Sequence, residues 1–142
     1  MTRINLVPVE ELADQHLIAE YREIFMILPA LNRSLEAGTA REGIPHRYTL
    51  GEGHVKFFYN KGVFLLTRYR YLVREMKERG FKPSVVRVFP TWPDDFFHGY
   101  TFNQEDVQVS RDRIIERVHQ RPDFYRWTKR PRPAYAGGEA AC

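Results

Sequence analysis

The chain has 142 residues, 43% hydrophobic and 28% charged, so a single globular domain with a real core is expected rather than a disordered or fibrous chain. A formal net charge of +4 and a pI near 9.3 favour a polyanionic partner. Cys142 is the sole cysteine and no apolar run nears the roughly 18 residues of a membrane span, which excludes intrachain disulfides, cysteine-based metal sites and membrane helices; a cytoplasmic chain is expected.

Residues 2–9 alternate polar and apolar side chains and include Pro8, so they read as extended, with Ile4 and Leu6 packing while Arg3 and Asn5 face the other way. The small Thr2 favours removal of Met1, which would leave an α-amino group beside Arg3. Such an amine has a reference pKa of about 7.7–8.0 and is appreciably unprotonated near neutral pH. Glu10 to about Leu35 reads as the longest helix, its core stripe formed by Leu17, Tyr21, Ile24, Phe25, Leu28, Leu31 and Leu35. Asp14 is the expected cap if an initial turn is separate, Pro29 is expected to kink or break the helix near Leu28, and Gly38 to end it. Its other face carries Gln15, His16, Ala19, Glu20, Arg22, Glu23 and Met26, which periodicity alone reads as a solvated surface.

Residues 36–59, punctuated by glycines, read as loop with short extended pieces, although the run His54–Tyr59 is apolar and aromatic enough to be buried. A second helix is expected from Asn60, as cap, to Arg79, closed by Gly80. Arg68, Arg70, Arg74 and Arg79 are placed on its basic outer surface. Residues 81–109 read as an irregular connection, and a third helix as starting near Ser110 and ending near Gln120. Arg113 and Arg117 then lie one turn apart on one face. Residues 1–135 form the expected domain, followed by a disordered tail over 136–142.

Residues 111–135 hold eight basic side chains against three acidic ones, interleaved with Phe124, Tyr125, Trp127 and Tyr135. Basic groups meet phosphates and flat rings stack on bases, while the plainer reading folds the rings back into the core; both can hold for different rings. The histidines (16, 46, 54, 98 and 119) never fall three or four residues apart. His16, Glu20 and Glu23 share a helical line, but no second Glu-x-x-His half completes a di-metal site. Neither a metal nor an organic cofactor is expected.

The runs Thr2-Arg-Ile-Asn-Leu, Glu11-Leu-Ala-Asp-Gln-His-Leu and Ala19-Glu-Tyr-Arg-Glu23, with Gly53-His-Val, Phe57-Phe-Tyr, Arg79-Gly-Phe and Gln120-Arg-Pro-x-Phe-Tyr125, resemble the pyrimidine-dimer DNA glycosylases, the phage endonuclease V type. The resemblance spans roughly residues 2–127 and weakens at 39–48 and 83–109. It implies an all-α fold, a single compact domain of three main helices with the extended N-terminal segment threaded between the first two. It also implies a monomer without obligatory protein partner, acting on double-stranded DNA that contains UV photoproducts, and a bifunctional N-glycosylase and abasic-site lyase that forms an imine through the α-amine of Thr2.

By the same resemblance Glu23 stabilises charge on the sugar and shuttles protons, with Arg22 beside it in the catalytic group. Arg3, Gln15, His16, Arg22, Arg33, Arg113 and Arg117 fall at DNA-contacting positions, and Phe124, Tyr125 and Trp127 in a lesion-recognising aromatic segment. Met26 departs from the pattern, standing where the phage-type sequence has an arginine one turn beyond Arg22. The alternatives are a non-enzymatic helical DNA-binding protein, or an abasic-site lyase of different or broader lesion specificity.

Overall fold

The computed structural model describes residues 3–82 and 87–136; the Thr2 position and the tail from residue 137 lie outside them. The architecture is all-α, with no strand among the described residues. Helices α1 (Asp14–Glu23) and α2 (Ile27–Glu36) form the first long arm, α3 (His54–Phe57) is a single turn, and α4 (Gly62–Glu78) and α5 (Gln104–Gln120) are the two longer helices. None is long and apolar enough to cross a membrane.

The first arm differs from the expected single helix. Val9–Glu11 is a separate 3-10 turn, and the break between α1 and α2 falls at a second one, Ile24–Met26, upstream of Pro29. Pro29 is consequently the third residue of α2, in the first turn where a proline removes no intrahelical hydrogen bond, and the helix continues through it to Glu36. Asp14 is not the cap. It is the first residue of α1, buried, and its carboxylate accepts from Arg79 Nη1 at 2.9 Å and from the backbone N–H of Thr128 at 3.0 Å.

Helix α4 begins at Gly62 rather than Asn60, without a side-chain cap. The carbonyl of His98 takes that role, accepting from Val63 N at 3.0 Å and Phe64 N at 3.4 Å. Gly62 is required by this contact region, because a Cβ there would stand 2.6 Å from the Trp92 ring. Gly80, at φ +87°, closes the helix as expected.

Helix α5 starts six residues before the expected Ser110. Asn103 caps it, its side-chain oxygen accepting from Asp106 N at 2.9 Å. The periodicity is interrupted because Ser110, fully buried on the core face, carries a hydroxyl there in place of an apolar side chain.

The N-terminal segment runs between α1, α4 and α5. Ile4 and Leu6 are buried, while Asn5 donates to Glu20 Oε1 at 2.9 Å and Leu6 N–H donates to Ser110 Oγ at 3.0 Å. Arg68 and Arg79 are buried, not on the outer surface of α4. Arg68 grips Glu20 through two hydrogen bonds, of 2.6 and 3.1 Å, and donates to the Val7 carbonyl at 2.7 Å. Arg79 pairs with Glu75 at 2.7 Å and also reaches the carbonyls of Val9 and Glu10. Buried charges are tolerated only when paired and fully hydrogen-bonded, and these arginines meet that condition by tying the N-terminal segment to two helices.

The abundant rings divide between two uses. Tyr48, Phe57, Phe58, Phe64 and Tyr100 pack edge-to-face or stacked at centroid distances of 5.1 to 6.1 Å, and Tyr21 stacks on Tyr69 where α1 meets α4. Phe124 stays exposed.

Candidate active site

Four residues of α1, His16, Ala19, Glu20 and Glu23, recur at three- and four-residue intervals and therefore share one face. That face opens onto a cleft of about 270 Å³, closed on the other sides by Arg3 and Asn5, by Arg113, Ile114 and Arg117 of α5, and by Tyr125. A larger cleft, about 560 Å³, lies among Leu6, Phe64, Tyr71, Tyr100 and Phe102. Its two arginines are already committed, Arg68 to Glu20 and Arg111 to Glu11. The smaller cleft gathers Glu23 with Arg3, Arg113 and Arg117.

At its centre the Arg3 backbone N–H donates to Glu23 Oε1 at 2.8 Å. Burial pushes the Glu23 carboxyl above its ordinary range, and the hydrogen bond from the Arg3 amide works against that shift. A carboxyl whose protonated form is favoured by burial is of the kind that can take part in proton transfer. The walls are positively charged. Burial lowers the Arg3 and Arg113 guanidinium groups, and the remaining arginines add repulsion: Arg117 on Arg3, and both Arg3 and Arg117 on Arg113. Like charges held together in a partly desolvated cleft favour a polyanion that neutralises them. Neither Arg113 nor Arg117 forms a salt bridge among the described residues, in contrast to Arg111 and Arg130, which pair with Glu11 and with Glu75 and Glu78. Arg111 and Arg130 are thus neutralised within the fold, Arg113 and Arg117 line the cleft, and Arg121, Arg126 and Lys129 are exposed.

His16 is half-buried, its ring tilted against Tyr125 at 4.7 Å. Burial, reinforced by Arg113 and Arg117, lowers it to about 4, so it is a neutral ring at physiological pH. Gln15 uses both ends of its amide on the aromatic turn, donating to the Phe124 carbonyl at 2.7 Å and accepting from Arg126 N at 3.1 Å. The turn is thereby fixed against α1, with Tyr125 in the cleft and Phe124 exposed beside it. Trp127 faces inward, buried, its indole N–H donating to the Glu11 carbonyl at 3.0 Å.

The cleft does not gather every residue singled out in the sequence. Arg22 is exposed on the last turn of α1 and Arg33 is exposed on α2; neither lines the cleft, and Met26 is 55% exposed between them. Thr2 lies outside the described residues. The sequence reading missed the supporting residues Asn5, Glu20, Ser110, His54 and Tyr48. The available signal was the pairing of polar residues with otherwise apolar positions, at Asn5 between Ile4 and Leu6 and at Ser110 on the face of Val107 and Ile114.

A family model described as pyrimidine dimer DNA glycosylase matches residues 1–86, more than half of the chain. The chain belongs to this family. The matched stretch supplies the N-terminal segment, α1 with Glu23, and α4 with Arg68 and, at its C-cap, Arg79. Helix α5 and the aromatic turn lie beyond it, so Arg113, Arg117 and Tyr125 come to the site through the geometry of the cleft. Membership implies repair of pyrimidine dimers in DNA by glycosylase action.

Proposed function

We propose that this protein is a bifunctional glycosylase and abasic-site lyase for cyclobutane pyrimidine dimers, with the α-amine of Thr2, freed by removal of Met1, as nucleophile. The observation that carries the reading is the hydrogen bond between the Arg3 amide and Glu23 in an arginine-walled cleft. In a chain beginning at Thr2, the α-amine is three covalent bonds from that amide nitrogen.

The amine lone pair forms a bond to C1′ of the damaged nucleotide, and the glycosidic bond breaks with its electron pair leaving on the pyrimidine. The nitrogen gives up a proton as the C1′–O4′ bond opens, which yields the iminium. Loss of a C2′ proton then expels the 3′ phosphate with the C3′–O pair, and water releases the protein by hydrolysing the imine. Each step is easier than direct displacement by water. Glu23 stabilises the cationic sugar as the base departs and then relays the protons of ring opening and elimination. Arg3, Arg113 and Arg117 hold flanking phosphates, and their charge favours the neutral amine. Phe124 and Tyr125 present rings at the rim of the cleft, suited to an unstacked or distorted step, and Arg22 and Arg33 meet backbone further out.

The test compares three duplexes: one with a single thymine dimer, one with a single abasic site, and one undamaged. Nicking of the first two and not the third is expected. Nicking confined to the abasic duplex would remove the glycosylase step, and binding without nicking would leave a DNA-binding protein.

A further inference from the structure

Five backbone groups of residues 3–7 are bonded to side chains drawn from five parts of the fold: α1, the loop before α3, α3, α4 and α5. Arg3 N–H donates to Glu23, Ile4 N–H to His54, Leu6 N–H to Ser110, while the carbonyls of Ile4 and Val7 accept from Tyr48 and Arg68. Ile4 is the most constrained. Its carbonyl accepts from Tyr48 Oη at 2.7 Å, and its N–H donates to His54 Nε2 at 2.9 Å.

The His54 ring allows one arrangement only. Nδ1 stands 2.7 Å from the Thr49 carbonyl, which can only accept, so Nδ1 carries the proton and the Nε2 lone pair faces the Ile4 amide. The ring is 2% exposed and packed edge-on against Tyr48 and Phe58, and burial lowers it to about 4, so it is neutral at physiological pH. Glycine at position 53, with φ +90° and Pro45 Cγ 3.2 Å from where a Cβ would sit, turns the chain into α3 and sets the ring in place.

We propose that His54 and Tyr48 are positioning residues for the reacting terminus, clamping Ile4 so that its register fixes the reach of the α-amine two residues upstream. The inference rests on the imine reading of the site. Neither residue lines the cleft, so neither touches DNA there; both act through the backbone of Ile4. An extended segment that slips by one residue turns every side chain to the opposite face, which would take Arg3 and Asn5 out of the cleft. A smaller displacement is also costly, since about 1 Å of misplacement at a reacting group can lower a rate on the order of a hundredfold.

The test uses full-length protein with Tyr48→Phe, His54→Leu and His54→Gln. The rate of borohydride-trapped adduct formation on an abasic duplex, at saturating protein and in a single turnover, is compared with affinity for the same duplex. Tyr48→Phe and His54→Leu are expected to slow trapping by about tenfold to a hundredfold, with affinity within about twofold of the parent. His54→Gln, whose amide oxygen can accept from Ile4 N–H, recovers most of the rate. Trapping at the parental rate in Tyr48→Phe, or a rate loss matched by an equal loss of affinity, overturns the clamp. If His54→Leu does not fold, Tyr48→Phe alone decides. Failure of the parent protein itself to trap an adduct would instead overturn the imine reading.

Discussion

Glu23→Gln is expected to lower strand cleavage at a thymine dimer on the order of a hundredfold to ten-thousandfold, the range for loss of a positioned proton-transfer group. The substitution is nearly isosteric and keeps an oxygen to accept from the Arg3 N–H, now 2.8 Å from Glu23 Oε1, so the N-terminal segment stays in register. What is lost is the negative charge facing the developing cation and the ability to move protons. Affinity for the damaged duplex should hold or tighten, because one anion has been removed from a cleft that faces phosphates between Arg3, Arg113 and Arg117. Single-turnover cleavage and binding measured on the same duplex separate the two effects. Cleavage at the parental rate would take Glu23 out of the reaction.

Arg68→Met is expected to lower folding stability by about 3–5 kcal/mol, the cost of leaving one partner of a buried ion pair uncompensated. Among the described residues Glu20, 1% exposed, would keep only Asn5 as a hydrogen-bond donor, and the Val7 carbonyl would lose Arg68 Nη1. The Val7 loss falls on the segment that carries Arg3, and Glu20 is the residue that Asn5 of that segment bonds to, so activity should fall with stability. Thermal or denaturant unfolding measures the effect, and a loss below about 1 kcal/mol, the value of an exposed pair, would show that the pair is not the tie described here. Arg70, which is exposed on the same helix, is the control: replacing it should move stability by no more than about 0.5 kcal/mol.

Arg68 and Arg79 mark the limit of what helical spacing specifies. On α4 the apolar residues Leu65, Tyr69, Leu72 and Met76 repeat at helical spacing and are buried, as periodicity requires. Arg68 on α4 and Arg79 at its C-cap look no different from Arg70 and Arg74, yet they are buried because Glu20 and Asp14 arrive from α1 to pair with them, Glu75 one turn back being a further partner of Arg79. Pairing is a tertiary property, and periodicity does not contain it. The start of α5 was hidden for a related reason: Ser110 breaks the apolar stripe in order to accept the Leu6 amide, while the local capping signal at Asn103 was present and readable. The face of α1 that forms the site was visible as a polar line through His16, Glu20 and Glu23. The line by itself could not distinguish solvent from a cleft, since that depends on α5 lying opposite. The rings of the C-terminal segment are similarly ambiguous in composition; Trp127 is buried and Phe124 exposed because the Gln15 amide fixes the turn between them.

The central claim is that the protein's own α-amine is the nucleophile, and borohydride trapping with mass mapping tests it directly. Protein confirmed to begin at Thr2 is incubated with a duplex carrying one thymine dimer in the presence of borohydride, which converts an imine to a stable bond. The account predicts a covalent adduct located on the Thr2 α-amine. An adduct on a lysine side chain, or no adduct while the duplex is nicked, would contradict it.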